Sequence, residues 1–412
     1  MAGEWKDVLL EDVAADVTVG HVGPMASEYL DQGIPFLRSQ NVDPLRVNDT
    51  DLKFISKEFH ARLKKSELSP GDVVIVRTGK PGACAVIPQT LPVANCSDLV
   101  IVRCGNKLDP RFLAYYVNSV AAHHVNSHLV GAVQQHFNVA SARRMFLRLP
   151  ELTEQRAIAH ILGTLDDKIE LNRRMSETLE AMARTLFKSW FVDFDPVRAK
   201  MEGRDPGLPK EIADLFPSRM VESEIGEIPE GWVIQKLGDL LELAYGRALK
   251  AESRRLGAIP VYGSRGQVGW HDERLVEGPG IVVGRKGNPG VVTWVPKDFF
   301  PIDTTFFVIP KLNPSWIEFF YFALMGHDLA SLGADSAVPG LNRNLAYMND
   351  QVVPPEPLVK RFERVAGGLL NRAHSLAGET ATIVGLRDTL LPKLMTGQLR
   401  VVNAERTVDD EQ

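Results

Sequence analysis

What this sequence lacks narrows it first. No apolar run approaches the roughly 20 residues that cross a bilayer, and the N-terminal MAGEWKDVLLEDV has no basic stretch leading into an apolar core. Neither a membrane span nor a secretory leader is therefore expected. Cysteine is scarce: Cys84, Cys96 and Cys104 form an odd set without CxxC spacing, which suits reduced thiols packed as small hydrophobes in a cytoplasmic protein. There is no GxxxxGK followed by Ser or Thr, so a P-loop for ATP is unsupported. No GxGxxG follows a strand, which removes a dinucleotide or adenosyl-methionine site of that type. His123, His124 and His128 have no standard zinc spacing, and no paired carboxylate or Ser/His/Asp set stands out, so no catalytic residue and no metal is expected. Positive charge is also not in excess, the formal net charge being −5. Any nucleic-acid binding must then come from local basic loops.

What is there is written twice. The 412 residues are too many for one core, and they divide into two similar halves. Trp5-Lys6-Asp7-Val8 running into Leu10-Glu11-Asp12-Val13 is answered by Trp232-Val233 running into Lys236-Leu237-Gly238-Asp239. GDVVIVRTGKPGACAVIP (71–88) is answered by GPGIVVGRKGNPGVVTWVP (278–296), each a β-branched run, a Gly/Pro/Lys/Arg tip and a second apolar strand. GAVQQHFNVASARRMFLRLPEL (131–152) is answered by AVPGLNRNLAYMNDQVVPPEPL (337–358).

Each half ends in a long helical pattern. Ile158, Leu162, Leu165, Ile169, Asn172, Ser176, Leu179, Ala183, Leu186 and Trp190 step by four and three, the period of a coiled coil. The same seam recurs as Phe362, Ala366, Leu369, Ala373, Leu376, Thr380, Ile383, Arg387, Leu390 and Leu394. Matching seams predict that the two helices pair, with Asn172 a polar position that fixes register. About 35 helical residues give a rod of roughly 50 Å, longer than one DNA turn of about 34 Å. Such a rod could hold two reading modules over separate stretches of duplex. Val353-Pro354-Pro355-Glu356 superficially resembles an amino-methyltransferase motif without its polar and aromatic ends, and its prolines read as helix entry.

The candidate contacts with double-stranded DNA lie on the tips. Arg77, Thr78 and Lys80 in one half, and Arg285, Lys286 and Asn288 in the other, combine cations with glycines that let the backbone approach. Gln134, Gln135, His136 and Asn138 form a polar cluster whose counterpart is Asn342, Arg343 and Asn344. Amides can bond adenine bidentately and Arg can bond guanine. Arg38, Ser39, Asn41, Ser264 and Arg265 are candidates on the same grounds. The competing reading is that the loops are solvated tips and the amides helix caps.

The run SWFVDFDPVRAKMEGR (189–204), with GLPKEIADLFPS (207–218) and SEIGEIPEGW (223–232), resembles the central region of type I restriction-modification specificity subunits. Residues 153–191 resemble that family's first conserved helix, and LRDTLLPKLMTGQL (386–399) the end of its second. The resemblance implies an α+β chain. Its expected layout is a target-recognition domain at 1–150, a conserved helix at 151–195, a linker at 196–228, a second recognition domain at 229–353, a second helix at 354–400 and a tail at 401–412, with the helices an antiparallel coiled coil. It also implies two modification subunits with S-adenosylmethionine and two restriction subunits using ATP and Mg, this chain holding no cofactor of its own.

Overall fold

The computed structural model describes residues 4–121, 137–311, 313, 316–333 and 340–401. The chain divides into two compact units, Met1–Leu171 with Thr380–Gln412, and Asn172–Glu379. Each unit takes one half of both long helices.

In the first unit, Leu99–Arg103 lies between Asp16–Val19 and Val73–Val76, with Cys84–Val86 outside, all antiparallel. The run Val-Val-Ile-Val is buried at every position, because both faces of its strand are covered. A second sheet runs Lys53–Ile55, Ile34–Leu37, Ala94–Cys96, Glu67–Leu68, its middle pair parallel. The helix Pro110–Asn118 starts where sequence chemistry says it should, with Asp109 accepting from the Phe112 amide and proline at the first turn. At its other end Asn118 bonds both the amide and the carbonyl of Cys84, which ties the helix to the edge strand. Burial pushes the thiols of Cys84, Cys96 and Cys104 up, so all three are inert packing groups.

The second unit repeats this plan. Its sheet runs Leu241–Tyr245, Thr305–Pro310, Gly280–Gly284, Val292–Val295, the same order and direction as its counterpart. Ile259–Gly263 pairs in parallel with Phe300–Pro301, as Ile34–Leu37 does with Ala94–Cys96. A terminal pair also recurs, Lys6–Leu9 with Phe146–Leu149 and Val233–Lys236 with Asp350–Val353. The proline-rich stretch after the first long helix is ordered: Phe216 is buried in this unit's core, with Leu208, Ile212 and Leu215 packed against it.

The long helices are Leu152–Phe191 and Glu356–Met395, of 40 residues each. They pack against each other within both units, and their partners run in opposite directions along the chain. In the first unit Glu154 accepts from Arg400 at 2.8 and 3.0 Å, and Asp166 from Arg387 at 2.9 Å. In the second, Asn172 Nδ2 donates to Glu379 at 3.1 Å, Ser176 Oγ to the Ala373 carbonyl at 3.2 Å, and Phe187 meets Phe362 at 5.7 Å. The pairing is antiparallel. Every heptad position named above is buried or half-buried, so the apolar seam is the surface the helices share. Asn172 is fully buried and its Oδ1 has no partner among the described residues, a cost consistent with a polar residue that sets register.

One buried carboxyl links the second unit's helices. Trp316 offers no side-chain cap to the helix Ile317–Gly326. Instead Glu363, on the second long helix, accepts from the amides of Glu318 at 3.3 Å and Phe319 at 2.7 Å. Burial, then its hydrogen bond with the Glu318 side chain, holds the Glu363 carboxyl far above the usual range, so it is protonated at neutral pH. A folded pKa raised above the unfolded value of 4.5 means stability is fully present below that value and is lost as pH rises toward the folded one. Glu363→Gln keeps an acceptor and stays neutral. The variant should therefore unfold at higher urea than wild type at about pH 8, by more than about 1 kcal/mol, with the gap narrowing at about pH 5. A gap independent of pH rejects the assignment.

Candidate nucleic-acid interface

In both units the loop after the buried central strand meets the residue that leads into a short helix. The Phe137 amide donates to the Arg77 carbonyl at 3.0 Å, and the Leu341 amide to the Arg285 carbonyl at 2.9 Å. The helices Val139–Arg143 and Arg343–Tyr347 come next, and each is tied back to its sheet. Arg143 donates to the Val17 carbonyl at 2.8 Å, while the Tyr347 hydroxyl accepts from the Leu243 amide at 2.8 Å. The repeat therefore extends to how the tip is held.

The charges differ between the copies. Arg77 Nη1 is paired with Asp98 at 2.9 Å, Thr78 Oγ1 donates to the same carboxylate at 2.6 Å, and Arg77 Nε reaches the Phe137 carbonyl. Lys80 lies 3.3 Å from Asp43, with its side chain 73% exposed. Gly79 and Gly82 have φ of +82° and +92°, which the turn between these residues requires. The first unit's loop is thus cationic but internally paired.

In the second unit the cations gather on an aromatic ring that sequence reasoning missed. The guanidinium carbons of Arg343 and Arg285 lie 4.6 and 5.1 Å from the ring centre of Tyr245, which is 51% exposed. Among the described residues no carboxylate pairs with either arginine, and Arg285 Nε is buried without an acceptor. Arg343 also donates to the Leu243 carbonyl at 3.3 Å. Ser264 sits against the same loop, close to Gly284 and Gly287, and Lys286 bridges to Gly340. Exposed Arg265, half-buried Asn288 and exposed Asn344 flank the cluster in the chain. The signal for Tyr245 was available: an aromatic closes a strand and runs into Gly246-Arg247. That glycine is required, since a Cβ there would strike the Ile302 carbonyl oxygen.

Several amides expected to read bases are engaged in structure instead. Asn41 is fully buried, accepting from the Arg38 amide at 3.1 Å and donating to the Thr50 carbonyl at 3.0 Å, so it cannot meet DNA. Asn138 and Asn342 are helix caps whose Oδ1 atoms accept from the amides of Ser141 and Asn344. An Asn before a short helix satisfies an otherwise orphaned amide, and here that demand takes the acceptor. Arg38 lies over Tyr29 at 5.8 Å and bonds Asp51, whose carboxyl Lys53 and then Arg38 hold down at about 2. Ser39 is half-buried in a single turn of helix. Gln134, Gln135 and His136 lie outside the described residues.

Fold and site together define a duplicated protein, two units of one topology each presenting a basic loop beside a capped turn of helix. Residues 3–181 match the family described as the type I restriction modification DNA specificity domain. The type I restriction enzyme HindI specificity subunit of Haemophilus influenzae is 26% identical over 63% of this chain and 70% of its own length. The MjaIX specificity subunit of Methanocaldococcus jannaschii is 24% identical over 61% of this chain and 60% of its own. A crystal structure of a type I restriction-modification S subunit from M. genitalium superposes with a TM-score of 0.66 at 17% identity, covering 95% of this chain and 96% of that one. Residues 3–181 are thus similar to the type I DNA specificity domain, and the chain shares the fold of that S subunit structure.

Proposed function

We propose that this chain is the sequence-reading subunit of a type I restriction-modification complex and performs no catalysis itself. Each unit reads one part of a bipartite, asymmetric duplex target, and the paired helices keep the two parts in register. Two modification subunits then methylate adenine from S-adenosylmethionine, and two restriction subunits cleave with ATP and Mg. The adenine amino group cannot be reached within the stack, so the target base must be rotated out while the two units hold their flanks. Lys and Arg on the loops position the backbone, and guanidinium groups reach base edges. The complex works in the cytoplasm. The observation that carries this reading is the repeated junction between a basic loop and a capped helix, Arg77 with Phe137 and Arg285 with Leu341.

The test is a map of methylated adenines across the host genome. Deleting the chain should erase one split motif. Exchanging residues of one unit's loops should alter one half of the motif and leave the other unchanged. Methylation that survives the deletion rejects the reading.

A further inference from the structure

The geometry points to a phosphate-binding site in the first unit, the pocket between His21, Arg62, Lys65 and Ser66, which grips the DNA backbone beside the loop of Arg77 and Lys80. This rests on the reading of the chain as a DNA-binding protein and adds a contact surface that the second unit does not copy.

The sequence supplies the charge. KEFHARLKK (57–65) places Lys57, Arg62, Lys64 and Lys65 against one carboxylate, Glu58, in a chain whose net charge is −5. The helix Lys57–Arg62 is capped by Ser56, whose Oγ accepts from the Phe59 amide, and Lys64–Ser66 follows as a single turn. The cations are thus carried on ordered backbone. Arg62 lies over the face of Phe59 at 5.6 Å, and His21 meets the same ring edge-on at 5.9 Å. One buried ring therefore sets both side chains at the pocket wall.

The pocket is about 320 Å³, lined by Val19 to Val22 on one side and by Arg62, Leu63, Lys65 and Ser66 on the other. None of these residues is acidic. Among the described residues no carboxylate pairs with Arg62, Lys64 or Lys65, and the nearby Glu67 is turned to His60 at 3.8 Å. Ser66 Oγ is engaged behind the wall, donating to Asn95 Oδ1 at 2.6 Å. An open pocket walled by unneutralised cations selects an anion. Lys57 and Lys64 extend the charge beyond the pocket, which favours a polyanion over a small phosphate compound.

Position joins it to the recognition loop. The His21 carbonyl accepts from the Asp98 amide at 3.2 Å, and the Asp98 carboxylate holds Arg77 and Thr78. A single residue therefore connects the pocket wall to the loop, so a duplex seated on Arg77 and Lys80 has its backbone within the pocket's reach. The second unit has no helix at the equivalent place: between Ile259–Gly263 and Gly280–Gly284 it carries only the strand Gly266–His271.

The test measures binding of the full chain to a fluorescent duplex bearing the methylated motif, and to a scrambled duplex, over a KCl series. Arg62→Ala with Lys65→Ala should flatten the log K against log[salt] slope by about two. Both duplexes should weaken alike, so their ratio is kept. Lys64→Ala with Lys65→Ala, which leaves the contact with Phe59 intact, should flatten it similarly, while Arg62→Lys with Lys65→Arg should hold the wild-type slope. Slopes unchanged in both alanine variants overturn the site while leaving DNA recognition standing. Loss of calorimetric binding of inorganic phosphate with an unchanged slope assigns the pocket to free phosphate and overturns the DNA contact. A wild-type chain that binds no duplex overturns the recognition reading and this site with it.

Discussion

Phe362→Ala should destabilise the second unit by about 3–5 kcal/mol, the largest single-residue effect expected in this chain. Phe362 is fully buried, and its ring lies 5.2 Å from Phe191, 5.7 Å from Phe187, 5.9 Å from Phe322 and 6.3 Å from Trp190. Those neighbours come from the first long helix and from the helix Ile317–Gly326, so one ring on the second long helix pins three elements together. Alanine removes its apolar surface and leaves a cavity among rigid rings that collapse poorly, and aromatic pairs add about 0.5–1.5 kcal/mol each beyond area. Tryptophan fluorescence in urea is the measurement, since Trp190, Trp232 and Trp316 all sit in this core. A loss under about 1 kcal/mol would mean the core closes around the missing ring and the packing argument is wrong.

The seam that buries Phe362 was legible because a helix repeats its environment every three to four residues, so Ile158 to Trp190 and Phe362 to Leu394 record their shared face directly. The buried strand Val73–Val76 was legible for a similar reason, every residue answering to an apolar neighbour. The amides were not. Whether Asn138 or Asn342 reads a base or caps a helix depends on where the next three amides point, and an Asn before a short apolar run carries the same letters in both cases. Asn41 was harder still: it is buried by the loop Val42–Thr50 folding over it, a non-local event without a period. Tyr245 was missed because its meaning lies in Arg285 and Arg343, 40 and 98 residues further on. The repeat paired the loops and the polar clusters of the two halves, and it could not say which side chains their backbone would consume.

That difference fixes the expectation for the interface itself. Arg285→Ala and Arg343→Ala should each weaken binding of the intact target by about 1–3 kcal/mol, roughly 10- to 100-fold, and relax discrimination in one half of the motif. Both guanidiniums are held against Tyr245, so their orientation is fixed before DNA arrives and little rotamer freedom is lost on contact. Lysine should not restore either position, because an ammonium can neither stack on the ring nor donate a planar pair of hydrogen bonds. Tyr245→Phe should retain binding and Tyr245→Leu should lose it, separating the ring from its hydroxyl. Arg77→Ala should cost less, since in wild type Asp98 already neutralises that cation and would compete with DNA for it. Anisotropy titrations against duplexes altered in one half at a time decide the matter: equal losses on matched and mismatched duplexes would make Arg285 and Arg343 backbone contacts, and no loss at all would move the reading surface away from Tyr245.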